Sequence, residues 1–186
     1  MPYFVIEVFS SKEEETARRI KNDLREITDD IDIFVPKRKR IIKKDGISKE
    51  KIEVLFPGYI FIECTDIDII NLKKNLYQVK TLTKLLGLDK EHKDYVSSLS
   101  IEEEEMLNLL LGKENKNRTV EISHIYLKEN KEVVVIDGPL KGLEGRISNI
   151  NLHKRRVTIL TQFMGRMVES ELGIDFVAEK SDSKEN

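Results

Sequence analysis

The sequence predicts an α+β protein with two domains: a ferredoxin-like or RNP-like α-β sandwich, followed by a small β-barrel. Two observations lead to this prediction. In residues 1–86, two-residue and helical apolar periodicities follow the order β-α-β-β-α-β, which is the order of the sandwich. In residues 129–178, short apolar segments are separated by glycine-containing turns, as is typical of small barrels.

The first elements follow from the spacing of apolar residues. Residues 1–8 alternate between two faces and predict a strand. Apolar residues then recur at helical spacing from Ala17 to Ile27, which predicts a helix that buries one stripe. The apolar segment at residues 31–35 predicts the second strand.

A long hairpin, a second helix and a short strand complete the sandwich. The hairpin consists of a basic arm at residues 37–44, the turn signal Asp45-Gly46 and a returning arm at residues 52–64. Apolar residues at helical spacing predict a helix at residues 68–78, and a short strand follows at residues 81–86.

Another helix is predicted at about residues 101–111, where glutamates after Ser100 suit the positive end of a helix dipole. The barrel strands are predicted at residues 133–136, 146–150, 157–163 and 167–172. The predicted organisation is a first domain at 1–111, a linker at 112–128, a barrel at 129–178 and a disordered tail at 179–186.

Charge and hydropathy exclude several classes of protein. Of the 186 residues, 35% are charged, but 32 Lys and Arg nearly balance 34 Asp and Glu. This excludes a uniformly basic nucleic-acid coat protein, so any nucleic-acid binding needs positive charge gathered into patches. No apolar run approaches the roughly 18 residues that span a bilayer, and residues 1–10 lack the pattern of a signal peptide. We expect a cytoplasmic monomer with no membrane partner.

Catalysis has little support in the sequence. His92, His124 and His153 are scattered, and the single cysteine, Cys64, is expected to be a small buried hydrophobe. Ligand spacings such as C-x-x-C or H-E-x-x-H are absent from the sequence. We therefore expect no metal site, no cofactor and no enzymatic activity.

Two motifs, one in each domain, resemble those of a known family. The first domain has an opening aromatic strand at Tyr3–Ile6 and the segment Phe56-Pro57-Gly58-Tyr59. The barrel has a KOW-like pattern of Val, Gly and Pro from Val133 to Gly145, followed by Gly165-Arg166. Together these motifs are similar to the NusG family of transcription elongation factors. The resemblance implies an NGN-type first domain and a KOW (SH3-like) barrel.

One departure makes the chain similar to specialised members of that family, such as LoaP and RfaH. Housekeeping members carry Phe-Gly-Arg near the end of the barrel, and this aromatic residue contacts a small ribosomal protein. Here Met164 stands directly before Gly165-Arg166, and Phe163 stands one position earlier. The resemblance to LoaP implies an antiterminator that acts on long operons.

The resemblance also implies that the first domain binds the clamp helices of RNA polymerase. It places Phe56, Tyr59 and Phe61 in the binding pocket, with Glu7 as a weaker candidate. Strand parity puts Tyr59 and Phe61 on one face, and an exposed aromatic cluster suits an interface anchor. Parity alone leaves open that they are ordinary core. The residues expected in the core are Phe4, Ile6, Ile60 and Ile62.

The hairpin at residues 37–51 has eight basic and two acidic residues, a local charge of +6 in a chain of net charge −2. The resemblance places it near upstream DNA, where Lys and Arg would contact phosphates with little sequence preference. The alternative is a solvated hairpin that its charge keeps soluble. The candidate nucleic-acid-binding residues are Lys37, Arg38, Lys39, Arg40, Lys43 and Lys44.

A second basic group lies on a predicted turn of the barrel. Lys and Arg can grip the phosphates of an A-form stem, so we hypothesise that the barrel binds a hairpin in the nascent leader RNA. A solvated turn is the alternative. The candidates are His153, Lys154, Arg155, Arg156 and Arg166, with Lys116 and Arg118 of the linker.

These expectations describe a transcription antitermination factor that holds RNA polymerase in one state and is recruited to particular operons by a leader RNA. Two alternatives stay open. One is a housekeeping member that acts on all genes. The other is a ribosomal-type KOW protein that binds RNA, although such a protein would not need the aromatic cluster of the first domain.

Overall fold

The computed structural model describes residues 3–24, 31–64, 96–112, 116–128 and 133–177. In these ranges, no helix is both long and apolar enough to cross a membrane. The described residues include the α-helices α1 (Glu13–Leu24) and α2 (Ile101–Leu111) and a short 3-10 helix (Glu144–Arg146). The strands are β1 (Tyr3–Glu7), β2 (Asp32–Phe34), β3 (Lys37–Lys44), β4 (Ile47–Val54), β5 (Tyr59–Glu63), β6 (Val96–Ser98), β7 (Thr119–Val120), β8 (Ser123–Leu127), β9 (Val133–Asp137), β10 (Ile147–Asn151), β11 (Arg156–Phe163) and β12 (Arg166–Phe176). The helix predicted at 68–78, the strand predicted at 81–86 and the predicted tail lie outside the described residues.

The first sheet has the strand order β2-β5-β1-β6, with β1 antiparallel to both of its neighbours. Alternation along the strands divides the side chains between two faces. On one face, Ile6 and Ile60 are opposite each other in the register and fully buried, together with Ala17 and Ile20 of α1. The predicted core residues all lie in this cluster: Phe4, Ile6, Ile60 and Ile62.

The basic hairpin consists of β3 and β4 and pairs in register from Lys37 to Lys44. Its tip is the predicted turn, in which Asp45 has φ 53° and Gly46 has φ 80°. Two successive positive φ values are those of a type I′ turn, whose twist matches that of the two strands. β7 pairs in parallel with the start of β3, so this sheet has the order β4-β3-β7.

The barrel is a curled five-stranded sheet with the order β10-β11-β12-β8-β9. β11 and β12 form its longest antiparallel pair, and β12 ends in parallel pairing with β8. β8 spans Ser123–Leu127, which the sequence analysis assigned to the linker. These residues join the barrel because Ser123 and Ile125 alternate inward and are buried. Only residues 121–122 separate β7 from β8.

Arg118 anchors this connection to the first sheet. Its guanidinium donates to the carboxylates of Asp32, at 3.0 Å, and Glu63, and it lies 4.3 Å from the centre of the Phe34 ring. Its carbonyl accepts from the N–H of Lys37 at 2.9 Å, next to the start of the β3–β7 pairing. The side chain proposed to bind nucleic acid is therefore engaged with partners inside the first domain.

Replacing Arg118 tests this anchor. Arg118→Gln is expected to lower the free energy of unfolding by about 1–3 kcal/mol, because it leaves the carboxylates of Asp32 and Glu63 without their cation. Chemical denaturation followed by circular dichroism measures the change. Arg19→Gln is the matched control, since among the described residues Arg19 pairs with Glu15 at an exposed site and such pairs contribute little. Equal stability of the two variants would contradict the anchoring role.

Candidate functional site

The aromatic face of the first domain consists of Phe56, Tyr59 and Phe61, on the side of the first sheet opposite α1. This cluster was predicted to be exposed, but Phe56 and Phe61 are buried and Tyr59 is half-buried. They belong to a core that includes residues of α2 and of the barrel. Glu7 lies opposite Tyr59 in the strand register and is exposed.

Phe163 of the barrel covers the aromatic face. Its ring stacks on that of Phe56, with centroids 4.5 Å apart and planes 9° apart. It meets Tyr59 edge-on at 5.0 Å and lies 5.8 Å from Phe61. Only 4% of Phe163 is exposed. Each aromatic pair of this kind contributes about 0.5–1.5 kcal/mol beyond the burial of its area.

Hydrogen bonds from the β11–β12 turn border the stack. Arg166 donates to the hydroxyl of Tyr59 at 2.6 Å, and the N–H of Gly165 donates to Oε1 of Glu103 at 3.1 Å. The other oxygen of Glu103 accepts from the N–H of Ser100 at 2.9 Å, within the capping box of α2. One buried carboxylate therefore caps α2 and holds the barrel turn.

A second contact joins β12 to β3. A Cβ atom on Gly173 would lie 2.5 Å from the carbonyl oxygen of Lys39 and 3.2 Å from the Cα of Arg40. Glycine is needed at this position because the two backbones approach so closely. The predicted strand ended at residue 172, just before this glycine. Extending the strand over Gly173 would have given a signal of a close backbone approach, but not of its partner β3.

Glu171 connects three arginines across the same contact. Its carbonyl accepts from Arg38 at 2.8 Å, and its carboxylate lies 3.3 Å from Arg40 and 3.0 Å from Arg156. The pKa of the Glu171 carboxyl is lowered. Burial acts in the opposite direction, but the hydrogen bond from Arg156 and the positive charges of the three arginines outweigh it. Glu171 therefore stays ionised at neutral pH and keeps its arginine partners.

The basic hairpin uses much of its charge internally. Near its base, ion pairs join Lys37 to Glu14, Arg38 and Arg40 to Glu53, and Lys39 to Glu121. Near its tip, the side chain of Lys43 is exposed and has no acidic partner among the described residues. For Lys44 the structure defines the strand position only.

The basic turn of the barrel, His153–Arg156, joins β10 to β11. Oδ1 of Asn151 accepts from the N–H of Lys154 at 2.9 Å, and Arg155 has a left-handed φ of 49°. Arg155 pairs with Asp175 at 2.8 Å. The two residues before it are exposed, and within the described ranges neither has an acidic partner. The backbone of the turn is fixed, while two of its cationic or titratable side chains are accessible.

The other predicted nucleic-acid-binding residues do not join this turn. Arg166 lies at the opposite end of β11, against Tyr59. Arg118 is held by the first sheet, and Lys116 is exposed on the connection.

The tip of the basic hairpin faces the basic turn across a cavity of about 300 Å³, which we call the interdomain groove. Residues 41–43 and Ser48 line one side, and residues 153–156 line the other. From the sequence, these basic segments were predicted to be two separate sites. The structure brings them together because β12 lies against β3 beneath them.

Two family models match this chain. The model described as "Transcription termination factor nusG" matches residues 1–110, and the model of the KOW motif matches residues 129–159. The chain belongs to the NusG family.

Relatives extend the match over nearly the whole NusG-family chain. The NusG proteins of Streptococcus pyogenes and Borreliella burgdorferi are each 23% identical to it, over 95% and 94% of the chain and 95% of their own lengths. The NusG protein of Lactococcus lactis is 26% identical over 91% of the chain and 88% of its own length. All three are named transcription termination/antitermination proteins.

A solved structure confirms the predicted fold class. It is described as "Domain interaction in Thermotoga maritima NusG" and superposes with a TM-score of 0.51 at 17% identity. The match covers 92% of this chain and 93% of that one.

Within the described ranges, no group of three or more His, Cys, Asp or Glu side chains is arranged to hold a metal ion.

In this NusG-family chain, Gly173→Ala is expected to separate the barrel from the first domain. Alanine fits an extended strand, so its Cβ conflicts mainly with the backbone of β3 across the contact. We expect the amide hydrogen of Gly165 to exchange with solvent at least about tenfold faster than in the wild-type chain, because its hydrogen bond to Glu103 crosses the same interface.

Amide hydrogen exchange measured by NMR tests this expectation. Gly145→Ala is the matched control, since a Cβ there meets no atom within 4 Å. Unchanged exchange at Gly165 in Gly173→Ala, with both domains folded, would show that the contact at β3 does not hold the domains together.

Proposed function

We propose that this chain is a transcription elongation and antitermination factor that binds RNA polymerase through the aromatic face, and that the barrel covers this face while the factor is free. The observation that carries the proposal is the stack of Phe163 on Phe56. The polymerase clamp helices would take the place of Phe163 when the factor binds. Bound in this way, the factor would suppress pausing and termination by favouring one polymerase state.

The energetics permit such an exchange. We call the form in which the barrel covers the aromatic face the closed form, and the form in which this face is free the open form. Burial of one phenylalanine side chain contributes about 1.5–3 kcal/mol, which favours the closed form without making it irreversible. Polymerase shifts the equilibrium between the two forms only through its higher affinity for the open form. After release, the barrel stays attached through a connection that is short beyond Arg118. It would therefore reach a nearby RNA at high effective concentration.

We further propose that the factor is an operon-specific paralog of the LoaP type. In this proposal the basic turn binds a hairpin in the nascent leader RNA, and Lys43 at the tip of the basic hairpin contacts upstream DNA. Two observations support this proposal. Lys154 is exposed, and Met164 stands directly before Gly165-Arg166, where housekeeping members carry a phenylalanine. The factor would be a cytoplasmic monomer that needs no cofactor and catalyses no reaction.

The proposed domain organisation keeps a first domain that ends near residue 111. It places the start of the barrel at Ser123 rather than at residue 129, because β8 pairs with both β9 and β12.

A housekeeping NusG role is the second candidate. It is favoured by the relatives, whose common description is termination/antitermination without reference to particular operons. A genome-wide occupancy profile separates the two: presence on all transcribed genes indicates the housekeeping role, and presence on a few operons indicates the specialist. The match of residues 1–110 to the NusG family disfavours a ribosomal-type KOW protein.

Phe163→Ala is expected to raise the affinity of the full chain for RNA polymerase about tenfold, because it removes about 1.4 kcal/mol or more of the interaction that covers the aromatic face. Tyr59→Ala is expected to lower the affinity, because it removes part of the binding surface itself. Biolayer interferometry with purified core polymerase measures both. Leu160→Ala is the control, since Leu160 is a 36% exposed apolar residue on the same strand. Unchanged affinity in both Phe163→Ala and Tyr59→Ala would refute binding through this face.

The leader-RNA proposal predicts readthrough of a terminator in vitro only when both the protein and the leader are present. Lys154→Gln combined with Arg155→Gln should abolish the leader-dependent part and weaken the leader complex in a gel shift, because it removes two cations from the turn. Lys141→Gln replaces an exposed lysine elsewhere on the barrel and serves as the control. Readthrough of equal size without the leader would indicate the housekeeping role instead.

A further inference from the structure

The interdomain groove exists only when the two domains are in contact. Its walls come from the tip of the basic hairpin and from the basic turn, which are more than 100 residues apart in the chain. Beneath it, Glu171 joins Arg156 of the barrel to Arg40 of the hairpin, and Gly173 lies against the backbone of β3. These contacts set the distance between the walls.

The groove is cationic, and its charge is divided unevenly. Arg155 and Arg156 have acidic partners in Asp175 and Glu171. Lys43 on one wall and Lys154 on the other are exposed, and neither has an acidic partner among the described residues. Lys43 and Lys154 therefore belong to the lining of the same cavity from different domains, where the charges of both would attract an anion.

The lining also contains groups that suit the rest of a nucleotide. The lining includes Ile41 and Ile42, and because adjacent strand residues point to opposite faces, one of their side chains can offer an apolar surface to a sugar or base. Ser48 supplies a hydroxyl that can donate to a phosphate oxygen. A volume of about 300 Å³ lies at the lower end of the range for sites that take small organic ligands. A strand of nucleic acid can thus place one unit in the cavity and continue along the surface.

We propose that the interdomain groove binds the sugar-phosphate backbone of a nucleic acid, and that it does so only in the closed form of the factor. The inference rests on the proposed function of the basic residues, and it adds that two segments from different domains form one site. Nucleic acid bound there stabilises the form in which Phe163 covers the aromatic face. Since coupling between ligands is reciprocal, nucleic acid bound in the interdomain groove and RNA polymerase then weaken each other's binding. The leader RNA hairpin of the proposed function binds the basic turn of the released barrel and does not need the groove.

The test measures fluorescence anisotropy of labelled 12-nucleotide single-stranded RNA and DNA with the full chain at several salt concentrations. The variants are Lys43→Gln, Lys154→Gln and Gly173→Ala, with Lys141→Gln and Gly145→Ala as controls. We expect each of the two lysine variants to weaken binding of both oligomers several-fold and to reduce the salt slope by about 1. We expect Gly173→Ala to weaken binding about tenfold, although it removes no charge.

A second variant guards against misfolding of Gly173→Ala. Phe163→Ala weakens the domain contact at the opposite end of β11 and leaves every basic residue in place, so it should also weaken oligonucleotide binding. Wild-type affinity in both Gly173→Ala and Phe163→Ala would overturn the composite site while leaving nucleic-acid binding by separate segments intact. If the wild-type chain binds neither oligomer, the proposed role of the basic residues fails as well. The proposed binding of RNA polymerase through the aromatic face is tested separately, by the polymerase affinities of Phe163→Ala and Tyr59→Ala.

Discussion

Among the described residues, the β11–β12 ribbon carries the aromatic contact and the β3 contact of the barrel with the first domain, and the geometry of these contacts depends on its register. Arg156 lies opposite Gly173 at one end, and Phe163 lies opposite Arg166 at the other, about 23 Å away at the usual rise per residue. One rigid element therefore reaches from the basic hairpin to the aromatic face. Its ends cannot be released independently without bending the ribbon, so we expect the barrel to leave the first domain as a unit.

The two ends of the ribbon contribute differently. At the aromatic end, Phe163 is almost completely buried and stacks on Phe56, and burial of apolar area is the main favourable term in such contacts. At the hairpin end, the ion pairs of Glu171 are partly exposed, and such pairs contribute little to affinity but much to orientation. The aromatic stack therefore sets the stability of the closed form, and the arginine network sets its alignment.

Strand parity was sufficient to separate the two faces of the first sheet. It placed Ile6 and Ile60 on one face and Tyr59 and Phe61 on the other, and the family resemblance assigned the first of these faces to the core. It was not sufficient to predict what lies on that other face, because the cover comes from Phe163, about 100 residues later, and depends on how two domains dock. The same limit applies to charge: a count of +6 in the hairpin does not reveal which carboxylates its lysines and arginines meet. β8 was missed because five residues with one polar inward position give a weak alternation signal.

The paired and unpaired cations of the basic hairpin occupy different ends of it, and this bears on function. Residues at the base satisfy carboxylates of the first domain and the barrel, so neutralising them would disturb the fold as well as any nucleic-acid contact. Lys43 at the tip has no acidic partner among the described residues. The cationic residues across the groove from it belong to the barrel. The electrostatic field that a phosphate meets at the tip therefore depends on whether the domains are docked. Local charge in this factor is therefore a property of its conformation as well as of its sequence.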